Sequence, residues 1–244
     1  MSGVRLLATT ARVLRQLSHD PRSLVLLLVA PSLLVGLFAW VFSESEGAFD
    51  RIGGPLLALF PFVVMFLITS ITTLRERRSG TLERLLTTPV AKSDVILGYA
   101  LAFGLLATLQ AIVTVTFAVA VCGLSVAGPV WQLGVVAVVD ALLGTALGLL
   151  ASAFARTEFQ AVQFMPVLVF PQMILGGLFM PRDQMPDVLS AVSDALPLSY
   201  AIDAASAVAS GSEAGEVWRP VLVVAAFTVG ALVVAAATLR RRTP

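Results

Sequence analysis

The sequence predicts an all-α polytopic membrane protein with six transmembrane helices, and three observations carry that prediction. Of its 244 residues, 58% are hydrophobic and only 13% charged, with a mean hydropathy of +0.94; soluble domains carry roughly 25% charged residues. Six stretches approach or exceed the ~20 apolar residues that cross a hydrocarbon core. Lys and Arg concentrate in alternate connections between those stretches, as they do in multi-pass proteins.

Residues 1–23 come first. Val4, Leu7, Ala11 and Leu14 recur at helical spacing, and Arg5, Arg12 and His19 occupy another face. This pattern predicts an amphipathic helix lying in the membrane interface, arginines toward anionic headgroups. Asp20-Pro21 breaks it. The six spans follow within 24–244, at about 24–42, 55–74, 95–121, 130–154, 160–180 and 218–239. The first apolar run has the length of a span and not of a cleavable leader.

Orientation follows from the cations. Arg5, Arg12, Arg15, Arg22, Arg75, Arg77, Arg78, Arg84, Lys92, Arg156, Arg240, Arg241 and Arg242 fall on one side, and Arg51, Arg182 and Arg219 on the other. The second side holds the acids Glu44, Glu46, Asp50, Asp183, Asp187, Asp194, Asp203, Glu213 and Glu216. Both termini are therefore expected in the cytoplasm, and an even number of spans agrees independently.

The cytoplasmic connection 75–94 reads RERRSGTLERLLTTPVAKSD. Ser79-Gly80 stops one helix, residues 81–87 form a short helix with Glu83 near its start, and Pro89 ends it. Ser93-Asp94 makes an N-cap for the third span. Leu82, Leu85 and Leu86 give this helix an apolar patch. The charges alone fit an ordinary cytoplasmic loop; the leucines call for a partner.

Three stretches resemble type-2 ABC-transporter permeases, the family of the bacterial daunorubicin-type drug exporters: RERRSGTLERLLTTPVAKSDVILGY from Arg75, PVLVFPQMILGGLFMPRDQMPDVLSAVSDALPLSYAIDA from Pro166, and RQLSHDPRSLVLLLVAPSLL from Arg15. Together they cover most of the chain in the family's order. The resemblance implies that 75–94 is a coupling segment docking on an ATP-binding subunit. The matching residues are Glu76, Arg77, Gly80, Thr81, Leu82, Glu83, Arg84 and Leu85. It further implies two copies of that subunit, a second permease chain (identical or not), and a bacterial inner membrane. The theme it suggests is drug or antibiotic efflux, with lipid, glycan and sodium export as alternatives. No phosphate loop of the form G-x-x-x-x-G-K-[ST] occurs, and the sole lysine, Lys92, follows no glycine-rich run. ATP and Mg are therefore expected on the partner, with no cofactor and no enzymatic activity in this chain.

Inside the spans, Asp140 lies about ten residues into the fourth, or ~15 Å deep. A charge there costs several kcal/mol unless paired, hydrated or protonated. Gly144 and Gly148 continue its face as G-x-x-x-G, the spacing that admits a close helix neighbour or a dimer seam. Two readings stay open: a contact for a cationic substrate or proton, or a protonated acid bonded to a neighbour such as Gln110. Pro166 and Pro171 kink the fifth span. Residues 181–210 then read as an extracellular hairpin of two short helices, 187–196 and 198–208. Phe38, Phe60, Phe66, Phe164, Phe170 and Met173 could line an apolar path, though such residues dominate any span.

One cysteine, Cys122, and one histidine, His19, exclude an internal disulfide and leave no metal-ligand spacing. A net charge of +1 gives nucleic acid no purchase. An ion-coupled transporter or membrane enzyme built on Asp140, or a scaffold that only recruits an ATPase, are the rival classes.

Overall fold

A backbone in hydrocarbon must satisfy its own amides, so apolar runs of this length fold as helices. The computed structural model describes residues 3–80 and 92–238. Among these, α1 is Gly3–Ser18, α2 Pro21–Val41, α3 Ala48–Arg78, α4 Lys92–Ala120 and α5 Val130–Phe154. Then come α6 Glu158–Leu175, a 3-10 turn at Arg182–Gln184, α7 Asp187–Asp194, α8 Pro197–Ser210 and α9 Ala214–Thr238.

Among the described residues, five helices are long and apolar enough to cross a membrane: α2, α3, α4, α5 and α9. The predicted fifth span is present as the 18-residue α6 but is not among those five. Gln160, Gln163, Gln172, Pro166 and Pro171 dilute its apolar content. It also stops at Leu175, short of the expected boundary at 180, where Gly177 takes a left-handed φ of 93°. Conversely, α3 runs past both expected ends, 55 and 74, and carries Pro55 and Pro61 inside it. Proline marks a boundary in water; in a bundle, neighbouring groups re-satisfy the freed carbonyl and the helix continues.

Helix α3 is the axis of the bundle. Its most apolar stretch is 78% buried, against 22% for α2 and 28% for α9. Its closest neighbour is α5, because Gly144 and Gly148 set the two backbones in contact. A Cβ on Gly148 would lie 2.7 Å from the Phe66 carbonyl oxygen, and one on Gly144 would overlap the Phe62 carbonyl. Phe62, Phe66, Leu143 and Leu133 complete a fully buried core.

Helix α1 packs mainly on α4. The Thr10 hydroxyl donates to the Gly98 carbonyl at 3.2 Å, and Val13 and Leu17 are buried. Leu7 and Ala11, from the apolar stripe read in the sequence, are exposed. A second stripe, three and four residues apart at Thr10, Val13 and Leu17, makes the protein contact.

The opposite, acidic end is tied by polar contacts. The Ser193 hydroxyl donates to the Leu175 carbonyl at 2.7 Å, and Leu198 N–H to Gln172 Oε1 at 3.3 Å. Arg182 pairs with both Asp194 and Asp203 and lies 5.4 Å from the Tyr200 ring centroid. Burial holds the Asp203 carboxyl above its ordinary range, against the pull of Arg182. These contacts join α6, α7 and α8 into one cap.

Candidate functional site

The basic end gathers the termini of α1, α3, α5 and α6 and the start of α4. Three cations in the last turn of α3, Arg75, Arg77 and Arg78, oppose the negative end of its dipole. Glu76 sits among them yet faces inward, 2% exposed. Its Oε2 accepts from Arg12 at 2.9 Å and from the Tyr99 hydroxyl. The same Arg12 nitrogen lies 2.8 Å from the Tyr99 oxygen, and its guanidinium 5.7 Å from that ring's centroid. Three helices thus meet at one carboxylate. Arg12 does not reach for headgroups, as its place on the polar face of α1 suggested, because a buried anion within reach is the stronger partner.

Arg77 is half-buried and donates to the Ser152 carbonyl, in the last turn of α5, at 3.4 Å. Arg75 forms a bidentate pair with Glu158 at the start of α6, both bonds 2.9 Å, with both side chains about half exposed. The Arg75 hydrogen bonds hold the Glu158 carboxyl below its ordinary range. Gly80 closes α3 with a left-handed φ of 72°, a conformation suited to glycine. Thr81, Leu82, Glu83, Arg84 and Leu85 lie outside the described residues. Nearby, Asp20 caps α2 by accepting from the Ser23 hydroxyl at 2.7 Å and its amide at 3.2 Å, and those bonds lower its carboxyl pKa.

Deeper in the bundle the polar groups behave differently. Asp140 and Gln110 are both 0% exposed, and their side-chain polar atoms have no hydrogen-bond partner among the described residues. They do not bond each other. Thr69, Thr73 and Thr114 are likewise buried with unpartnered hydroxyls. Asp140 shares its helix face with Gly144 and Gly148, which rest on α3 of the same chain. Pro166 and Pro171 are exposed on α6, which packs on α3 and α8 and barely touches α5, so they are not brought to Asp140. Phe66 is fully buried while Phe170 is half exposed, so the six apolar residues named above do not share one lining.

Among the described residues no group of three or more His, Cys, Asp or Glu could hold a metal ion. The sequence reading missed Arg12 as a partner of Glu76, and missed Tyr99 altogether. One signal was available: a lone acid inside the basic run RERR at the end of a buried helix needs a partner from elsewhere.

Residues 4–209 match the family described as ABC-2 type transporter. The chain is 28% identical over 198 residues to ABC transporter G family member 20 of Dictyostelium discoideum, covering 79% of this chain and 27% of that protein. It is 27% identical over 148 residues to the Probable multidrug ABC transporter permease YbhR of Escherichia coli (strain K12), covering 61% and 40%. It is 26% identical over 133 residues to the Linearmycin resistance permease protein LnrN of Bacillus subtilis (strain 168), covering 54% and 34%. The chain therefore spans less than half the length of each of these relatives.

Proposed function

The chain belongs to the ABC-2 type transporter family, and on that premise we propose that it is the permease of an ATP-driven exporter. It is a multi-pass membrane permease of the ABC superfamily and not a catalytic subunit. The observation that carries the proposal is the span of the family match, which contains four of the five apolar helices and the basic end.

In this reading α6 is the fifth of six spans, shortened by its glutamines and prolines. The basic end faces the cytoplasm of a bacterial cell and the α7–α8 cap faces outward, a reading supported by the distribution of Lys and Arg. Segment 75–94 docks on an ATP-binding subunit that supplies ATP and Mg. Two such subunits and a second permease chain complete the pathway. Closure of the motors moves the segment, and the permease pair alternates between inward and outward access. The cargo is an amphipathic, hydrophobic compound, in line with the drug and antibiotic themes in the names of the bacterial relatives.

Burial without a partner favours one further role. Asp140 meets a cationic group of the cargo or a proton when the bundle opens. Asp140→Asn should then reduce export of a cationic dye and spare that of a neutral one; equal export of both leaves Asp140 a packing residue. The proposal as a whole is tested by ATPase activity of the complex in vesicles. A coupled permease gives activity that rises with amphipathic cargo. A scaffold or an ion-coupled transporter gives activity indifferent to it.

A further inference from the structure

We propose that Arg12, Glu76 and Tyr99 clamp the neck of the coupling segment, making α1 a transmitting element and Arg12 a positioning residue for transport. This inference rests on the reading of 75–94 as the part a motor moves.

Glu76 lies at the start of the segment, in the last turn of α3, and Tyr99 lies just past its end on α4. Their hydrogen bond therefore joins the two feet of the connection between α3 and α4. Arg12 bonds to both feet at once, at 2.9 Å to Glu76 and 2.8 Å to Tyr99. A loop hinged on two independent feet flexes when pushed and dissipates the movement. A loop whose feet are bound together moves α3 and α4 as one body.

Helix α1 is built to hold that third point. Thr9 lies so close to Gly98 that a Cβ there would sit 2.7 Å from it. The Thr10 bond to Gly98 and the burial of Val13 and Leu17 fix the helix just beside Tyr99. Arg12 thereby arrives with a single guanidinium nitrogen, Nη2, placed to serve the carboxylate and the hydroxyl together, and its charge is permanent. The carboxylate has no comparable alternative, since a buried anion that loses its partner is strongly disfavoured. The junction is not saturated: Glu76 Oε1 and Arg12 Nε are buried without partners among the described residues.

The test uses the permease with its cognate ATP-binding subunit in vesicles, comparing wild type with Arg12→Gln, Glu76→Gln, Tyr99→Phe and Arg12→Lys. The clamp predicts that Arg12→Gln, Tyr99→Phe and Arg12→Lys retain the motor and its basal ATPase activity. Cargo-stimulated activity and export fall tenfold or more in Arg12→Gln and Glu76→Gln. The loss is smaller in Tyr99→Phe, and Arg12→Lys recovers part of it. Loss of motor binding in Arg12→Gln would instead place Arg12 on the docking surface and overturn the clamp. Full stimulation in Arg12→Gln and Glu76→Gln would also overturn it. Hydrogen exchange on the permease alone separates the clamp from the coupling reading. Arg12→Gln should speed exchange in α1 and the last turn of α3 at least tenfold. Unchanged exchange overturns the clamp even where the motor binds; wild type that binds no motor, with exchange faster in the variant, sinks the coupling reading and spares the clamp.

Discussion

Glu76 and Asp140 are both buried carboxylates, and the chain treats them in opposite ways. Glu76, 2% exposed, receives Arg12 and Tyr99; Asp140, 0% exposed, receives nothing among the described residues. The difference is one of depth. At the end of α3 a cation can arrive from α1, which packs beside it on α4. Near the middle of α5 a second charge would itself cost about 3 kcal/mol to insert. The first carboxylate is suited to fixing helices together. The second sits on a surface of close glycine contacts, where a small rearrangement changes what it meets.

Substitutions break or sharpen this contrast. The largest effect is expected from Gly144→Leu. Its side chain would push the Phe62 carbonyl away and part α3 from α5, destroying the deep region outright. Folded protein in detergent should be lost, as read by size-exclusion profile and thermal unfolding. Gly134→Ala, on the same helix with open space at its Cβ, should leave both unchanged.

Next is Arg12→Ala, which strands the Glu76 carboxylate. Removal of one member of a buried pair costs about 3 kcal/mol, and the partly open side of Arg12 lets water recover some of that. Asp140→Asn should cost under ~1 kcal/mol by contrast, since no ion pair is broken. Denaturant unfolding of the two variants side by side measures the difference, and equal losses would erase the distinction drawn between the two acids.

Acid provides a smaller effect with a definite sign. The Asp20 carboxyl is lowered from its ordinary 3.8 by its bonds to Ser23, so its contribution to stability is complete above that pH and fades as pH falls through the folded value. Burial raises Asp203, so its contribution runs the other way, present below 3.8 and lost as pH rises through its folded value. Unfolding midpoints across pH 2–7 should lose opposite limbs in Asp20→Asn and Asp203→Asn. The smallest effect belongs to Arg75→Gln. Its pair with Glu158 is half exposed and worth under ~1 kcal/mol, and the difference from wild type should vanish at about 1 M salt.

The helices were legible in the sequence because hydrophobic run length is a local quantity. Asp140, Gly144 and Gly148 could be placed on one face for the same reason. Boundaries at Pro55 and at 180 were not legible, because they depend on what surrounds the helix: a buried α3 tolerates its prolines, and a glutamine-bearing α6 ends at a glycine pair. The pairing of Arg12 with Glu76 joins residues far apart in the chain, and no periodicity reports such a contact. Arg12 read as one of several surface cations, and only the packing of Thr10, Val13 and Leu17 on α4 turns it inward.

The central claim is that segment 75–94 is where a motor grips this permease. Co-purification of the tagged chain with its cognate ATP-binding subunit tests it most directly, comparing wild type with Leu85→Asp and Glu83→Arg and reading ATPase activity on the complex. The account predicts a stable complex for wild type that Leu85→Asp dissolves and Glu83→Arg weakens. Equal recovery of the motor and equal ATPase activity in all three would contradict it.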